Sequence, residues 1–254
     1  MDGRVYRPSL LLVALGCLVF FPPHARAGSP MPVVTVTAAE YPPFVFRTDP
    51  GDPSGFETEL LKRFASGEKI EVRYRFLPAF GDVLPALARG EGDMAGGALH
   101  ATPDRKKRFL FSTYLRTGLV LVGKRGAPPL DGEAGVAGRP VGVKQGATGH
   151  LLAKGWQARY PGVTVVPFST TKESYDALAA GTIDLLVDDY LHAKHLILNG
   201  DACAILTRPL TEVGVGFAYR NDPRGKALKT RMDRFLERFL GTKEFRDLYE
   251  AYFF

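Results

Sequence analysis

The sequence predicts an α/β fold built as two similar lobes. Short apolar strands alternate with amphipathic helices along most of the chain, the pattern of sheets covered by helices. An eight-residue pattern, A-L-A-x-G-x-x-D, occurs twice, as ALARGEGD at 86–93 and ALAAGTID at 177–184. In each copy an Ala-Leu-Ala helix end stops at a glycine, which tolerates positive φ, and an apolar strand follows. The 254 residues, less an N-terminal export segment, suit one large domain or two lobes of about 100 residues.

The export segment comes first. Arg4 and Arg7 precede the apolar run LLLVALGCLVFF (10–21), Pro22 and Pro23 break it, and Ala25-Arg26-Ala27 offers an A-x-A cleavage site. Residues 1–27 therefore read as a secretory signal peptide, too short to span a membrane. Cys17 lies inside the apolar run and is not read as a lipid anchor. The formal charge is +6, and removing Arg4, Arg7, Arg26 and Asp2 with the leader leaves +4. That excess is mild and forms no long basic block, which argues against a nucleic-acid partner. Cys203 alone remains after cleavage, so the mature chain has no internal disulfide and this thiol reads as a small, partly buried side chain.

PVVTVT (32–37) is β-branched and short, a first strand. YPPFVF (41–46) is a rigid aromatic loop leading into the hairpin-like TDPGDPSG. In GFETELLKRFA (55–65), Phe56, Leu60, Leu61 and Phe64 fall at helical spacing, and IEVRYRF (70–76) alternates as a strand. Residues 81–89 form a helix and MAGGAL a strand. TPDRKKR opens a short helix with Thr102 as N-cap and Pro103 at the first position. TGLVLVGK (117–124) is a long strand, and 126–139, rich in Gly, Pro and Ala, is a surface loop. Strand, glycine turn and helix follow in RPVGVKQGATGHLLAKGW, then strand VTVVPF, helix TTKESYDALAA and strand IDLLVDD. CAILTRPL and VGVGFAY are further strands. Residues 225–254 form one or two amphipathic helices, with Leu228, Met232, Phe235, Leu236, Phe239 and Leu240 on one face. Lobe one is assigned to 28–117 plus 213–254 and lobe two to 118–212, with chain crossings near 117–120 and 209–213 as a hinge.

The candidate chemistry is charge recognition. The first repeat leads to Arg105, whose planar fork of donors matches a carboxylate; alternatively Arg105 belongs to the solvated cluster with Lys106, Lys107 and Arg108. Thr102 either caps its helix or gives its hydroxyl to the same anion. QGATG (145–149), between strand and helix, offers backbone N–H groups and the Thr148 hydroxyl to an anion. The second repeat leads to Asp188-Asp189, at a strand's C-terminal end where ligands sit in α/β sheets; the pair holds an ammonium, caps the next helix, or does both. Tyr41, Phe44 and Phe80 either wall a pocket or pack in the core. His192 and His195 read as a surface pair, since no third metal ligand is evident. H-E-x-x-H, C-x-x-C and G-x-S-x-G are absent, and GVGF (214–217) lacks the third glycine of a dinucleotide fingerprint.

These segments, in this order, resemble the bacterial extracellular solute-binding proteins of family 3, the polar amino-acid binders of ABC importers. YPPF resembles the first ligand loop, and GFETELLKRFA the G-F-[DE]-x-[DE]-L helix. GDMAGGALHATPDRKKRFLFSTYL is similar to the family's most specific signature, VGVKQGATG to V-[AG]-V-x-x-G-T-[TS], and ALAAGTIDLLVDD to A-L-x-x-G-x-x-D-x-x-x-x-D. The resemblance spans essentially the whole mature chain. It implies the type II periplasmic-binding-protein fold, with two lobes, a hinge of two crossing segments and a ligand cleft between them. It further implies a periplasmic, monomeric protein without a cofactor, which captures an amino acid-like ligand and delivers it to an ABC permease in the inner membrane.

On the same resemblance Arg105 binds the ligand α-carboxylate with help from Thr148, and Asp189 binds the α-ammonium. The backbone at Ala98 accepts a hydrogen bond, and Tyr41 and Phe80 flank the side chain. The chain departs from the pattern in places. His100 stands where Ser or Thr is usual, Ala147 replaces the first Thr of G-T-T, and Thr113-Tyr114 lacks a proline. Ala38 occupies a position often acidic in binders of basic amino acids. Lys144 sits where a lysine contacts the side-chain amide in glutamine binders. Together these favour a neutral polar or acidic ligand. Two other classes share the fold: periplasmic cyclohexadienyl dehydratases, for which His100 or Glu40 would supply a general acid, and ligand sensors that dock on a receptor.

Overall fold

The computed structural model describes residues 1–2, 31–49 and 51–254. The expected signal peptide, its cleavage site and Cys17 lie outside these residues. From residue 31 the chain builds two five-stranded sheets.

The first sheet begins with β1 (Val33–Ala38), whose β-branched residues pair in parallel with β4 (Glu71–Phe76) on one side and β5 (Met94–His100) on the other. Between them a two-strand ribbon, β2 (Phe46–Arg47) and β3 (Pro53–Ser54), closes the aromatic loop. Helix α1 (Phe56–Glu68) follows, with Phe56, Leu60, Leu61 and Phe64 buried as the spacing predicts. A single turn at Phe80–Asp82 leads into α2 (Val83–Ala88), and the first repeat's Gly90 takes φ 81° just beyond the helix. Thr102 caps the one-turn α3 (Pro103–Lys106) by accepting the Arg105 backbone N–H at 3.3 Å.

Next comes a strand that the sequence reading missed, β6 (Phe109–Thr117). Its alternation is blurred because Phe111, Ser112 and Tyr114 are all buried. With β12 (Val213–Arg220) it completes the sheet order β4-β1-β5-β12-β6. Helix α7 (Pro223–Phe239) buries Leu228, Met232, Leu236 and Phe239 against this sheet, while Phe235 and Leu240 are partly buried.

The second sheet repeats the plan with β7 (Leu119–Lys124), β8 (Pro140–Lys144), β9 (Thr164–Phe168), β10 (Leu185–Asp189) and the short β11 (Cys203–Ile205), in the order β11-β7-β10-β8-β9. Only three residues of CAILTRPL are strand. Parallel strands β9, β8 and β10 correspond to β4, β1 and β5, and an antiparallel strand continues each set. Helices α4 (Thr148–Arg159), α5 (Thr171–Ala180) and α6 (Tyr190–Leu198) cover it. A capping box from Thr170 and Glu173 starts α5, and Gly181 at φ 80° ends it. The two repeat copies thus precede β5 and β10, the middle strands of their sheets.

Two features shape the cleft. β5 is buried throughout and kinked, with Ala98 at φ 54°. The kink aims the Gly97 and Ala98 N–H groups at the Glu57 carboxylate, at 2.6 and 2.8 Å, and Tyr114 donates its hydroxyl to the same group. Glu57 is fully buried, a role its place in an amphipathic helix did not signal. The chain also passes between sheets twice, through Gly118 and through 206–212. There the crossings touch: the Leu119 N–H donates to Thr211 Oγ1 at 3.0 Å, and the Leu210 N–H to the Leu119 carbonyl at 2.7 Å. Behind them α8 (Lys243–Phe253) packs on both α1 and α6.

A side chain at residue 118 has no room, because its Cβ would lie 2.1 Å from the Thr211 carbonyl oxygen and 2.8 Å from Pro209 Cβ. Gly118→Ala is expected to destabilise the protein by about 1–3 kcal/mol through overpacking of the crossing. A lowered urea midpoint measures it, and an unchanged midpoint contradicts it.

Candidate functional site

The C-terminal ends of β5 and β10 face each other. His100 ends β5 and Asp189 ends β10, and His100 Nε2 lies 3.0 Å from Asp189 Oδ2, both groups buried. With the carboxylate as acceptor, Nε2 carries the proton and donates. His100 Nδ1 is buried without a partner. The other Asp189 oxygen accepts the Thr117 hydroxyl at 3.0 Å and the Leu191 N–H at 2.8 Å, so the residue also caps α6.

Around this pair lies a cavity of about 30 Å³, lined by Tyr41, Phe80, Ala98, His100, Arg105, Lys144, Thr148 and Asp189, together with Leu119, Ala147, Gly149, Val187 and Asp188. All eight candidate residues therefore surround one space, drawn from both sheets. Arg105 leaves its basic neighbours and turns inward, donating from Nη1 to the His100 carbonyl at 3.0 Å and from Nη2 to the Gly146 carbonyl at 3.1 Å. No carboxylate pairs with it among the described residues, and burial pulls its guanidinium down to about 10. The Thr148 hydroxyl, at the start of α4, is buried and has no partner. Lys144 Nζ sits 3.4 Å from the Tyr41 ring centroid and 4.3 Å from that of Phe80. Burial lowers its ammonium to about 8, against the opposing pull of Asp188 and Asp189.

Asp188 organises a second set of groups. It accepts the Tyr41 hydroxyl at 2.8 Å, the Tyr175 hydroxyl at 2.7 Å and His192 Nδ1 at 2.5 Å. The Tyr41 ring stacks on His192, with centroids 4.2 Å apart. His192 is 2% exposed, which corrects its reading as half of a surface pair. One helical turn separates it from Asp188, and the carboxylate draws it inward. Its spacing from Asp188 was the available signal; Tyr175 and Glu57 carried none. Thr102 serves its helix and not the cavity.

The small cavity adjoins a larger chamber of about 760 Å³, and both share Phe80 and Lys144 as walls. Its lining mixes apolar groups such as Pro42, Leu77, Leu178 and Leu196 with the Glu40–Arg47 and Lys172–Asp176 ion pairs. Among the described residues no helix is long and apolar enough to cross a membrane.

Two sheets of matching plan, two chain crossings and a charged cleft at the strand ends define a two-lobed solute-binding protein. The model of the bacterial extracellular solute-binding proteins, family 3, matches residues 33–254, and the chain belongs to that family. It is 29% identical over 219 residues to the L-arginine-binding protein of Pseudomonas aeruginosa, covering 83% of each chain. An ancestral arginine-binding protein solved with arginine superposes with a TM-score of 0.79 at 26% identity, over 87% of this chain and 98% of that one. The ancestral amino acid-binding protein AncCDT-1, a precursor of cyclohexadienyl dehydratase, shares the fold with a TM-score of 0.76 at 24% identity, over 87% and 95% of the two chains.

The Asp188 cluster ties stability to pH. Burial pushes its carboxyl up, but the His192, Lys144 and Tyr175 groups beside it hold it down at about 2. A carboxyl lowered in the folded state contributes fully above its unfolded pKa of about 4 and loses that contribution as pH falls towards 2. Wild-type protein should lose about 2 kcal/mol across that window from this group, at about 1.4 kcal/mol per pKa unit. Asp188→Asn should flatten that part of the stability curve; urea titrations at pH 4, 3 and 2 decide it.

Proposed function

We propose that the protein is a periplasmic receptor that closes on an amino acid and delivers it to an ABC permease. The observation that carries this reading is the pairing of an inward-facing Arg105, free of any carboxylate among the described residues, with the buried Asp189 carboxylate across one small cavity. Arg105 takes the α-carboxylate, with the unpartnered Thr148 hydroxyl completing its hydrogen bonds, and Asp189 takes the α-ammonium. The kinked backbone at Ala98 offers a further acceptor, and Tyr41 and Phe80 bracket the side chain. Residues 28–117 and 213–254 act as one lobe and 118–212 as the other, pivoting at Gly118 and Thr211. The working unit is a monomer, exported by a leader cleaved after Ala27.

A space of about 30 Å³ is too small for an amino acid, so the subsite between Arg105 and Asp189 is filled by its own side chains. His100 on Asp189, Arg105 on the Gly146 carbonyl and Tyr41 on Asp188 all join one sheet's elements to the other's. A zwitterion replaces these bonds with its own, and its two charges stabilise the closed state by touching both lobes. His100 is then a competitor for Asp189, a role the usual Ser or Thr would not fill.

A thermal-shift screen over the twenty amino acids tests the reading, because ligand that binds only the folded state raises Tm. Asp189→Asn and Arg105→Ala should each weaken the binding found by at least about 100-fold, since each strands a charge worth about 3–5 kcal/mol. Near-unchanged affinity in calorimetry would rule the assignment out. His100→Ser should tighten binding by about 10-fold, one charge-assisted bond of competition being worth about 1.5–3 kcal/mol; weaker binding would contradict the competitor role. Incubation with prephenate, followed by phenylpyruvate absorbance, checks the dehydratase alternative, and turnover would overturn the receptor reading.

A further inference from the structure

The polar valences of the cleft are unevenly spent. Asp188 accepts three hydrogen bonds, from Tyr41, Tyr175 and His192. Asp189 accepts three more, from His100, Thr117 and the Leu191 N–H. The cations are in the opposite condition. Arg105 donates to two backbone carbonyls and lies over the Phe80 ring, and Lys144 Nζ makes no hydrogen bond or ion pair among the described residues. An ammonium has three donors and prefers an oxygen to a ring face. Lys144 nevertheless rests between Tyr41 and Phe80, at the wall shared by the small cavity and the larger chamber.

We propose that the ligand carries a second acidic group and that Lys144 binds it, so that the protein captures an acidic amino acid. This rests on the amino-acid reading above and names the substrate class within it. The α-carboxylate goes to Arg105, and the side chain runs past Tyr41 and Phe80 towards Lys144 Nζ. There a carboxylate supplies the oxygen acceptors the ammonium lacks. Burial lowers the Lys144 pKa to about 8, and an anion beside it offsets that desolvation.

Among the described residues no buried, unpaired carboxylate lines the chamber. Glu40 and Asp176 are already paired with Arg47 and Lys172, and Asp201 is exposed. A basic side chain pushed to this wall would meet Lys144 with like charge in a desolvated space.

The test uses L-glutamate, its uncharged isostere L-glutamine, and L-arginine on the mature protein in calorimetry. Glutamate should bind at least about 10-fold tighter than glutamine, because a charged acceptor makes a bond about twice as strong as a neutral one. Lys144→Met, checked for folding by its thermal melt, should lower glutamate affinity by at least about 30-fold and bring the glutamate-to-glutamine ratio within about 3-fold. Glutamine or arginine binding the wild type as tightly as glutamate overturns the inference without any variant, as does a ratio that survives Lys144→Met. If arginine binds best, the amino-acid reading stands and only this inference falls. If no amino acid binds, both fall.

Discussion

The structure depends on one meeting of strand ends. β5 and β10 are the middle strands of separate sheets, and each follows a helix stopped by a glycine at φ near 80°. Because each glycine ends its helix the same way, each strand starts alike and runs through its sheet to a polar end. His100 and Asp189 are those ends, 3.0 Å apart. A crossing through Gly118 with no space for a methyl group keeps the sheets this close. Glu57 then sets the finer geometry, by holding the N–H groups of the kinked Gly97-Ala98 segment so that β5 turns its last residues into the cleft.

Charge is arranged on that frame with a consistent asymmetry. Carboxylates in a desolvated space need donors or they protonate, and both Asp188 and Asp189 have three. The cations have been left with carbonyls and ring faces, which stabilise them less. That leaves electrostatic work for a ligand, and the work is for an anion first. An incoming ammonium must displace His100 before it reaches Asp189, whereas an incoming carboxylate finds Arg105 and the Thr148 hydroxyl with donors to spare.

Much of this was legible in the sequence where the signal was local. Strand and helix alternation, the doubled A-L-A-x-G-x-x-D and the Thr102 cap rest on spacing within a few residues, whereas the residues around the cavity were picked out through the family resemblance, Ala98, His100 and Lys144 through it alone. The missed features depend on distant partners. β6 was overlooked because it buries both faces in part, Tyr114 in the core cluster with α7 and Phe109 and Phe111 in the cluster with α2, and so loses its period of two. His192 looked like surface because its helix is short and polar at intervals, but Asp188 one turn earlier and the Tyr41 ring from the other sheet enclose it. Glu57 sits on an amphipathic helix with other charged side chains, and partners distant in sequence, the kink 40 residues later and Tyr114, explain its burial. Tyr175 carries no local signal; its partner lies 13 residues on, across a glycine turn.

The same geometry constrains how the proposed opening proceeds. At the back, α8 lies on α6, and Leu191 of α6 is buried in the core cluster of the first sheet, so separation there would expose apolar surface. At the crossings, the Leu119–Thr211 and Leu210–Leu119 hydrogen bonds tie the two strands to each other. Across the front, His100, Arg105 and Tyr41 make polar bonds that water or a ligand can replace, beside the Tyr41–His192 stack and the Lys144 contacts with the Tyr41 and Phe80 rings. We infer that the lobes part at the front and pivot at Gly118, with the apolar back kept shut. Opening then breaks the front bonds and leaves charged groups exposed on each lobe: Arg105 on one, and Asp189 with Lys144 on the other. That is the arrangement in which a small charged molecule, bound first to one lobe, supplies the attraction that draws the second lobe onto it.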